Sequence, residues 1–352
     1  MPAARRPLIL VALFLMLAAG LGRLSIAQAD PPGPPIYSIP SDTTFGTDPD
    51  TITAPPTDFN DLWNLRKIGL PCDPPYDDPT SVKKSGVVVA VVDTGVDSAH
   101  PLFAGRLVAG YDFVNDDPDP FDDQGHGTHV AGIVLMVAPA VKIMPVKALS
   151  ATGAGASSWI ASAIIWATDQ GADVINLSLG GPYSSGRIRD AVEYAGSHGV
   201  VLPAAAGHDN TSNPTYPAAY PQTMAVSSTT QRDERAAFSN YGAYVSVAAP
   251  GISILGPVPG GGYQAWSGTS QAAPHVSALA GLVKAYYPAM TGQQIRDAID
   301  QGADDLGRPG WDPIFGYGRI NVCRTLELAR SMWLPPVSAT IIPLFTPTVP
   351  TE

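Results

Sequence analysis

The sequence predicts an α/β fold built on a mostly parallel central sheet flanked by helices. Two observations carry that expectation. From Gly86 onward, short apolar runs alternate with longer stretches of helical pattern, as strands joined by crossover helices require. The first run, Val87 to Val92, is apolar at every position, as in a strand buried on both faces. With 352 residues and 45% hydrophobic content, the chain is long enough for one large domain with a buried core.

Taken in order, strands are expected at Gly86–Val92, Lys142–Lys147, Val174–Leu179, Val200–Ala205 and Met224–Ser228. Helices are expected at His126–Leu135, Ser157–Gln170, Gly186–Ser197, Ser270–Tyr287 and Thr291–Gln301. Gly199 sits where a C-cap would close the third helix, and Thr291 with Gln294 reads as a capping box. Trp159 and Trp166, seven apart on one helix, read as core packing.

Residues 1–29 read as a secretory signal peptide, with a retained membrane anchor as the alternative. Arg5 and Arg6 precede an apolar core from Leu8 to Leu21, and Ala27-Gln28-Ala29 offers a cleavage site before Asp30. Residues 30–59 form a Pro-rich leader, residues 60–331 the folded domain, and residues 332–352 a Pro/Thr-rich tail. The apolar part of that tail, Ile341 to Phe345, is too short to span a membrane, so the mature chain carries no span. Formal charge is −11; without Arg5, Arg6 and Arg23 it becomes −11 − 3 = −14. Such a balance argues against nucleic acid or an anionic membrane as a partner. Cys72 and Cys323 would tie the start of the domain to its C-terminal helix if they pair after export. The sequence leaves that open, because bonding needs Cα atoms within about 7 Å.

Three segments carry residues whose chemistry makes sense only together: Val-Val-Asp93-Thr-Gly, Gly-His126-Gly-Thr-His-Val-Ala-Gly and Ser-Gly-Thr-Ser270-Gln-Ala-Ala-Pro-His-Val. A serine hydroxyl becomes a nucleophile when an imidazole takes its proton, and a carboxylate fixes that imidazole's tautomer. Singly, each has a plainer reading: a turn aspartate, a glycine-flanked histidine and an N-cap serine. Together, in the order carboxylate, imidazole, hydroxyl, they resemble the subtilisin-like serine proteases.

That resemblance implies a three-layer subtilisin-like fold and a secreted, monomeric endopeptidase of broad specificity acting on protein or peptide substrates. It makes Ser270 the nucleophile, His126 the general base and acid, and Asp93 its orienting carboxylate, with no cofactor required for the chemistry. The family places an oxyanion-binding asparagine after Ala-Ala-Gly, where this chain has His208. An imidazole N–H could replace that donor, Asn210 could swing in, or hydrolysis could be impaired, leaving a pseudoprotease or binding module. Gly153 and Gly155 on one edge, and Ser178, Leu179 and Gly180 on the other, are expected to pair with a substrate strand. Ala205, Ala206 and Gly207 are expected to line the primary pocket. Asp112, Asn115, Asp117 and Asp119 have a spacing that suits calcium, although Phe121 stands where related loops have an oxygen ligand; the alternative is a solvated acidic loop. Many secreted relatives carry a folded inhibitory propeptide, for which the stretch from Asp30 to Trp63 is too short and too Pro-rich.

Overall fold

A computed structural model describes residues 37–39, 62–72 and 86–333. The signal peptide, the tail beyond residue 333 and most of the leader lie outside the described residues. In chain order, the strand β1 (Tyr37–Ser38) and the short helix α1 (Trp63–Lys67) precede β2 (Val88–Asp93) and β3 (Tyr111–Asp112). Helix α2 (His126–Val137), β4 (Lys142–Lys147), β5 (Ala154–Gly155), α3 (Ser157–Asp169) and β6 (Val174–Asn176) follow. Next come α4 (Gly186–Ser197), β7 (Leu202–Ala205), β8 (Thr223–Thr229) and β9 (Val245–Pro250). The pair β10 (Ile254–Val258) and β11 (Gly262–Trp266) leads into α5 (Thr269–Tyr286), α6 (Gly292–Gly302) and α7 (Val322–Trp333).

The ladders β3-β4-β2-β6 and β7-β8-β9 are parallel throughout. Main-chain bonds join them into one sheet: Ile175 N–H donates to Val201 O, Leu177 N–H to Pro203 O and Ala205 N–H to Leu177 O. Strand β2 is central, in register with β4 from Val88↔Lys142 to Asp93↔Lys147. Its alternation explains the unbroken apolar run. Val89 and Val91 enter the core shared with α2, α5, α6 and α7, whereas Ala90 and Val92 enter the core shared with α3 and α4. Each face therefore needs an apolar residue, and each buried valine stabilises by about 1.5–3 kcal/mol. The result is the expected three-layer α/β architecture.

Predicted and observed helices agree within about two residues at each end, the usual fraying margin. The capping box is present: Gln294 N–H donates to Thr291 Oγ1, and Thr291 N–H to Gln294 Oε1. Strand β9 and the hairpin β10–β11 were not anticipated. Gly and Pro interrupt the hairpin's pattern, and its turn is made at Gly260 and Gly261, both with positive φ. His129 and His275 are fully buried packing residues. The ring of His129 stacks on Trp266 at 4.2 Å and its Nε2 bonds Gln264 O. His275 Nδ1 donates to Gln271 O, while its Nε2 accepts from Asn64 Nδ2.

Cys72 and Cys323 form a disulfide with Cα atoms 5.6 Å apart, joining the segment after α1 to the start of α7 across 251 residues of sequence. A loop of that length restricts the unfolded chain strongly. Replacing both cysteines by serine is expected to lower unfolding stability by about 2–5 kcal/mol in urea titrations, with the native fold retained by circular dichroism.

Candidate active site

The carboxyl ends of parallel strands form one edge of the sheet, and open α/β sheets present their ligands there. Asp93 is the last residue of β2, and His126 opens α2. Their side chains meet: His126 Nδ1 lies 2.7 Å from Asp93 Oδ1, and neither side chain is exposed. Local sequence makes this approach feasible. A Cβ at residue 127 would lie 2.1 Å from Gly95 O and 3.2 Å from Asp93 Cβ, so glycine alone lets α2 abut the end of β2.

A second buried carboxylate, not singled out in the sequence, holds this junction. Asp122 Oδ1 accepts from Thr94 Oγ1 at 2.8 Å and from Gly125 N–H at 2.7 Å. Its Oδ2 accepts from Thr128 N–H at 2.8 Å and from Thr128 Oγ1 at 2.5 Å. Thr94 Oγ1 in turn accepts from Gly127 N–H. Asp122 thus takes the N–H groups of the N-cap Gly125 and of Thr128, and through Thr94 reaches that of Gly127, tying the start of α2 to the strand end that carries Asp93. The only signal in the sequence was its position four residues ahead of His126.

Ser270 is the second residue of α5, after the N-cap Gly268. Pro274 lies four residues on and has no N–H, so the Ser270 carbonyl lacks its intrahelical donor. Ser178 fills that role, donating Oγ–H to Ser270 O at 2.8 Å. Ser178 Oγ itself accepts from Asn176 Nδ2, and Asn176 Oδ1 accepts from Ser277 Oγ. The Ser270 hydroxyl donates to Ser178 O at 3.2 Å, while His126 Nε2 is buried without a hydrogen-bond partner. Asn176 and Ser277, which fix this arrangement, also escaped the sequence reading because a polar residue in a strand or helix carries no spacing signal.

A cavity of about 270 Å³ opens beside Ser270, lined also by Leu179, Gly180, Ala205, Gly207 and His208. Ala206 is fully buried, and its carbonyl accepts from Tyr244 Oη. His208 is buried and stacked on Phe238 at 4.9 Å. Its Nε2 accepts the Thr269 N–H at 2.9 Å, and its Nδ1 lies 3.2 Å from Thr269 Oγ1. Burial, aided by His126, pushes the His208 pKa down to about 3, so the ring is neutral. With Nε2 accepting, its one proton sits on Nδ1 toward Thr269. Asn210 does not take its place, because its Oδ1 accepts from Arg235.

Gly153 and Gly155 form one edge of a groove, and Ser178, Leu179 and Gly180 the other. Both edges bond to Tyr37–Ile39 of this same chain, in β1 and just beyond it. The acidic loop does not fit a calcium ion. Asp112 Oδ1 already accepts from Val114 and Asn115 N–H, its Oδ2 accepts from Asn115 Nδ2, and Asp117 Oδ1 accepts from Asp119 N–H. Phe121, at the position of the missing oxygen, is exposed, and no group of three His, Cys, Asp or Glu among the described residues is placed to hold a metal.

Residues 84–318 match the model of the Subtilase family. The chain is 45% identical over 247 residues to a thermophilic serine proteinase of Bacillus sp. (strain AK1), covering 67% of this chain and 61% of that protein. Over 252 residues it is 43% identical to subtilisin NAT of Bacillus subtilis subsp. natto, covering 68% of this chain and 65% of that one. It thus spans less than two thirds of those two relatives. Thermitase of Thermoactinomyces vulgaris is 42% identical over 253 residues, covering 69% of this chain and 89% of its own length. The crystal structure of a cold adapted subtilisin-like serine proteinase superposes with a TM-score of 0.66 at 36% identity, covering 75% of this chain and 98% of that one. The chain belongs to the subtilase family.

Burial also sets how this region responds to acid. It pushes the pKa of His129 to about 3 and of His275 to about 4, beside His208 at about 3, against an ordinary 6.5. A lowered imidazole contributes stability above its unfolded value and loses it as pH falls toward the folded one. Asp300, on α6, is raised by burial from 3.8 to about 7, so its contribution is complete below 3.8 and is lost as pH rises through 7. Between pH 6 and 5, unfolding then takes up three protons and releases one, 3 − 1 = 2. Urea midpoints are therefore expected to fall as the pH is lowered from 6 to 5, because unfolding takes up more protons than it releases.

Proposed function

We propose that this chain is a secreted serine endopeptidase that hydrolyses peptide bonds through Asp93, His126 and Ser270. The buried Asp93–His126 contact, with Nε2 unpartnered, carries the reading. In the proposed cycle, the Ser270 hydroxyl turns from Ser178 O toward His126 Nε2. The imidazole accepts its proton while Oγ attacks the scissile carbonyl, and Asp93 stabilises the imidazolium. The resulting oxyanion develops at the positive end of α5. Its collapse breaks the C–N bond, and His126 returns the proton to the leaving amine. Water, deprotonated by the same imidazole, then releases the acyl group from Ser270.

His208 fits a positioning role better than a donor role, since both ring nitrogens face Thr269 next to the nucleophile. The enzyme therefore works with an oxyanion site short of one side-chain donor. Export through residues 1–29, action as a monomer and broad specificity from main-chain pairing complete the reading. It supports an acidic loop that caps its own turn, so Asp117→Asn is expected to have little effect on thermal inactivation with or without added calcium.

Turnover of a tetrapeptide substrate and covalent labelling by a fluorophosphonate test the assignment. Ser270→Ala and His126→Ala are each expected to lower kcat by about 10⁴-fold or more, and Ser270→Ala to abolish labelling. Wild-type protein that neither labels nor turns over substrate would favour the pseudoprotease. His208→Asn is expected to raise kcat, toward the factor of about 10²–10³ that one oxyanion donor supplies. A fall on that substitution would assign the donor role to His208 itself.

A further inference from the structure

The residue directly after the nucleophile carries a polar side chain that nothing satisfies. Gln271 is fully buried, and neither its Nε2 nor its Oε1 has a hydrogen-bond partner among the described residues. Long side chains on a helix point back over the preceding turn, and Gln271 accordingly reaches Gly268, three residues before it. A Cβ at residue 268 would lie 2.5 Å from Gln271 Oε1 and 2.5 Å from His208 Nε2. The amide and the imidazole therefore flank one point, at most 2.5 + 2.5 = 5.0 Å apart, and glycine makes room for both. The backbone around them is nearly saturated. Thr269 N–H donates to His208 Nε2, and Gln271 N–H and Ala272 N–H both donate to Gly268 O. Among the described residues, Ser270 N–H alone in this turn has no acceptor.

We propose that the Gln271 amide is a catalytic donor, its Nε2–H joining Ser270 N–H at the oxyanion formed when Ser270 attacks a substrate. The inference rests on the endopeptidase reading and deepens it. His208, at the family's donor position, directs both ring nitrogens to Thr269 and leaves that place unfilled. A buried amide without partners is unfavourable by about 1–3 kcal/mol for each group, and its presence beside a nucleophile points to a ligand that completes it. Half a revolution of the amide exchanges Nε2 and Oε1 without breaking a hydrogen bond, because neither makes one. That turn sets N–H donors beside Gly268, at the positive end of α5. Glutamine has one more side-chain torsion to fix than asparagine, so Gln271 makes up the missing donor only in part.

Steady-state kinetics with a tetrapeptide substrate and urea titrations on wild type, Gln271→Met and Gln271→Leu test this. Both apolar variants are expected to lower kcat about tenfold or more, toward the factor of about 10²–10³ that one donor supplies, with KM within about threefold. Their urea midpoints are expected to match or exceed that of wild type, because removing an unpaired buried amide relieves its penalty. A merely structural amide would instead lower the midpoint and leave kcat alone. In the Gln271→Met background, His208→Asn is expected to raise kcat by a larger factor than in wild type, since the new amide then replaces the lost one. A kcat within about twofold of wild type in both variants, or equal His208→Asn factors in the two backgrounds, would overturn the proposal. Failure of both variants to fold would do the same, making the amide structural. Wild type that labels with a fluorophosphonate while the variants keep its kcat refutes Gln271 alone. Wild type that neither labels nor turns over substrate ends the endopeptidase reading, and this role with it.

Discussion

Asp93 and His126 stand 33 residues apart in sequence and share a hydrogen bond of 2.7 Å from which solvent is excluded. Desolvating an imidazole and a carboxylate is unfavourable unless each finds a partner, so the surrounding chain must hold them in register. Three features do so. Pairing with Lys147 of β4 fixes the Asp93 backbone, Gly127 removes the side chain that would keep α2 away, and Asp122 takes the N–H groups of Gly125 and Thr128 at the helix's start. Loss of any one leaves a polar group in the interior without its partner, a penalty of about 1–3 kcal/mol.

The nucleophile is held by a different device. Proline in a helix ordinarily weakens it, yet Pro274 frees the Ser270 carbonyl for Ser178, and through Asn176 and Ser277 that link locks α5 to β6. A helix defect is thereby turned into a cross-link between the sheet edge and the residue that must be positioned. The same Ser178 main chain takes the Ser270 hydroxyl, and His126 Nε2 is left without a hydrogen-bond partner.

His208 shows how one substitution within a family pattern redistributes contacts. Its ring is too large to sit as a small amide would. It stacks on Phe238 and closes against Gly268, where even a Cβ would come within 2.5 Å of Nε2. The imidazole borders the cavity and bonds Thr269 at the start of α5.

The sequence by itself determined the three layers, five of the seven helices and the three segments that bring Asp93, His126 and Ser270 to one sheet edge, because hydrophobic periodicity and residue spacing are local signals. Strand β9 and the hairpin escaped it, since Gly and Pro interrupt their pattern and their pairing is made across distant segments. Tertiary structure alone decided that Cys72 meets Cys323, that Asp122 and Asn176 bond around Asp93, His126 and Ser270, and that Tyr37 pairs with Gly155. Each of these is a contact between segments far apart along the chain. Its existence depends on how layers stack and which edges remain unpaired, and no stretch of neighbouring residues encodes that.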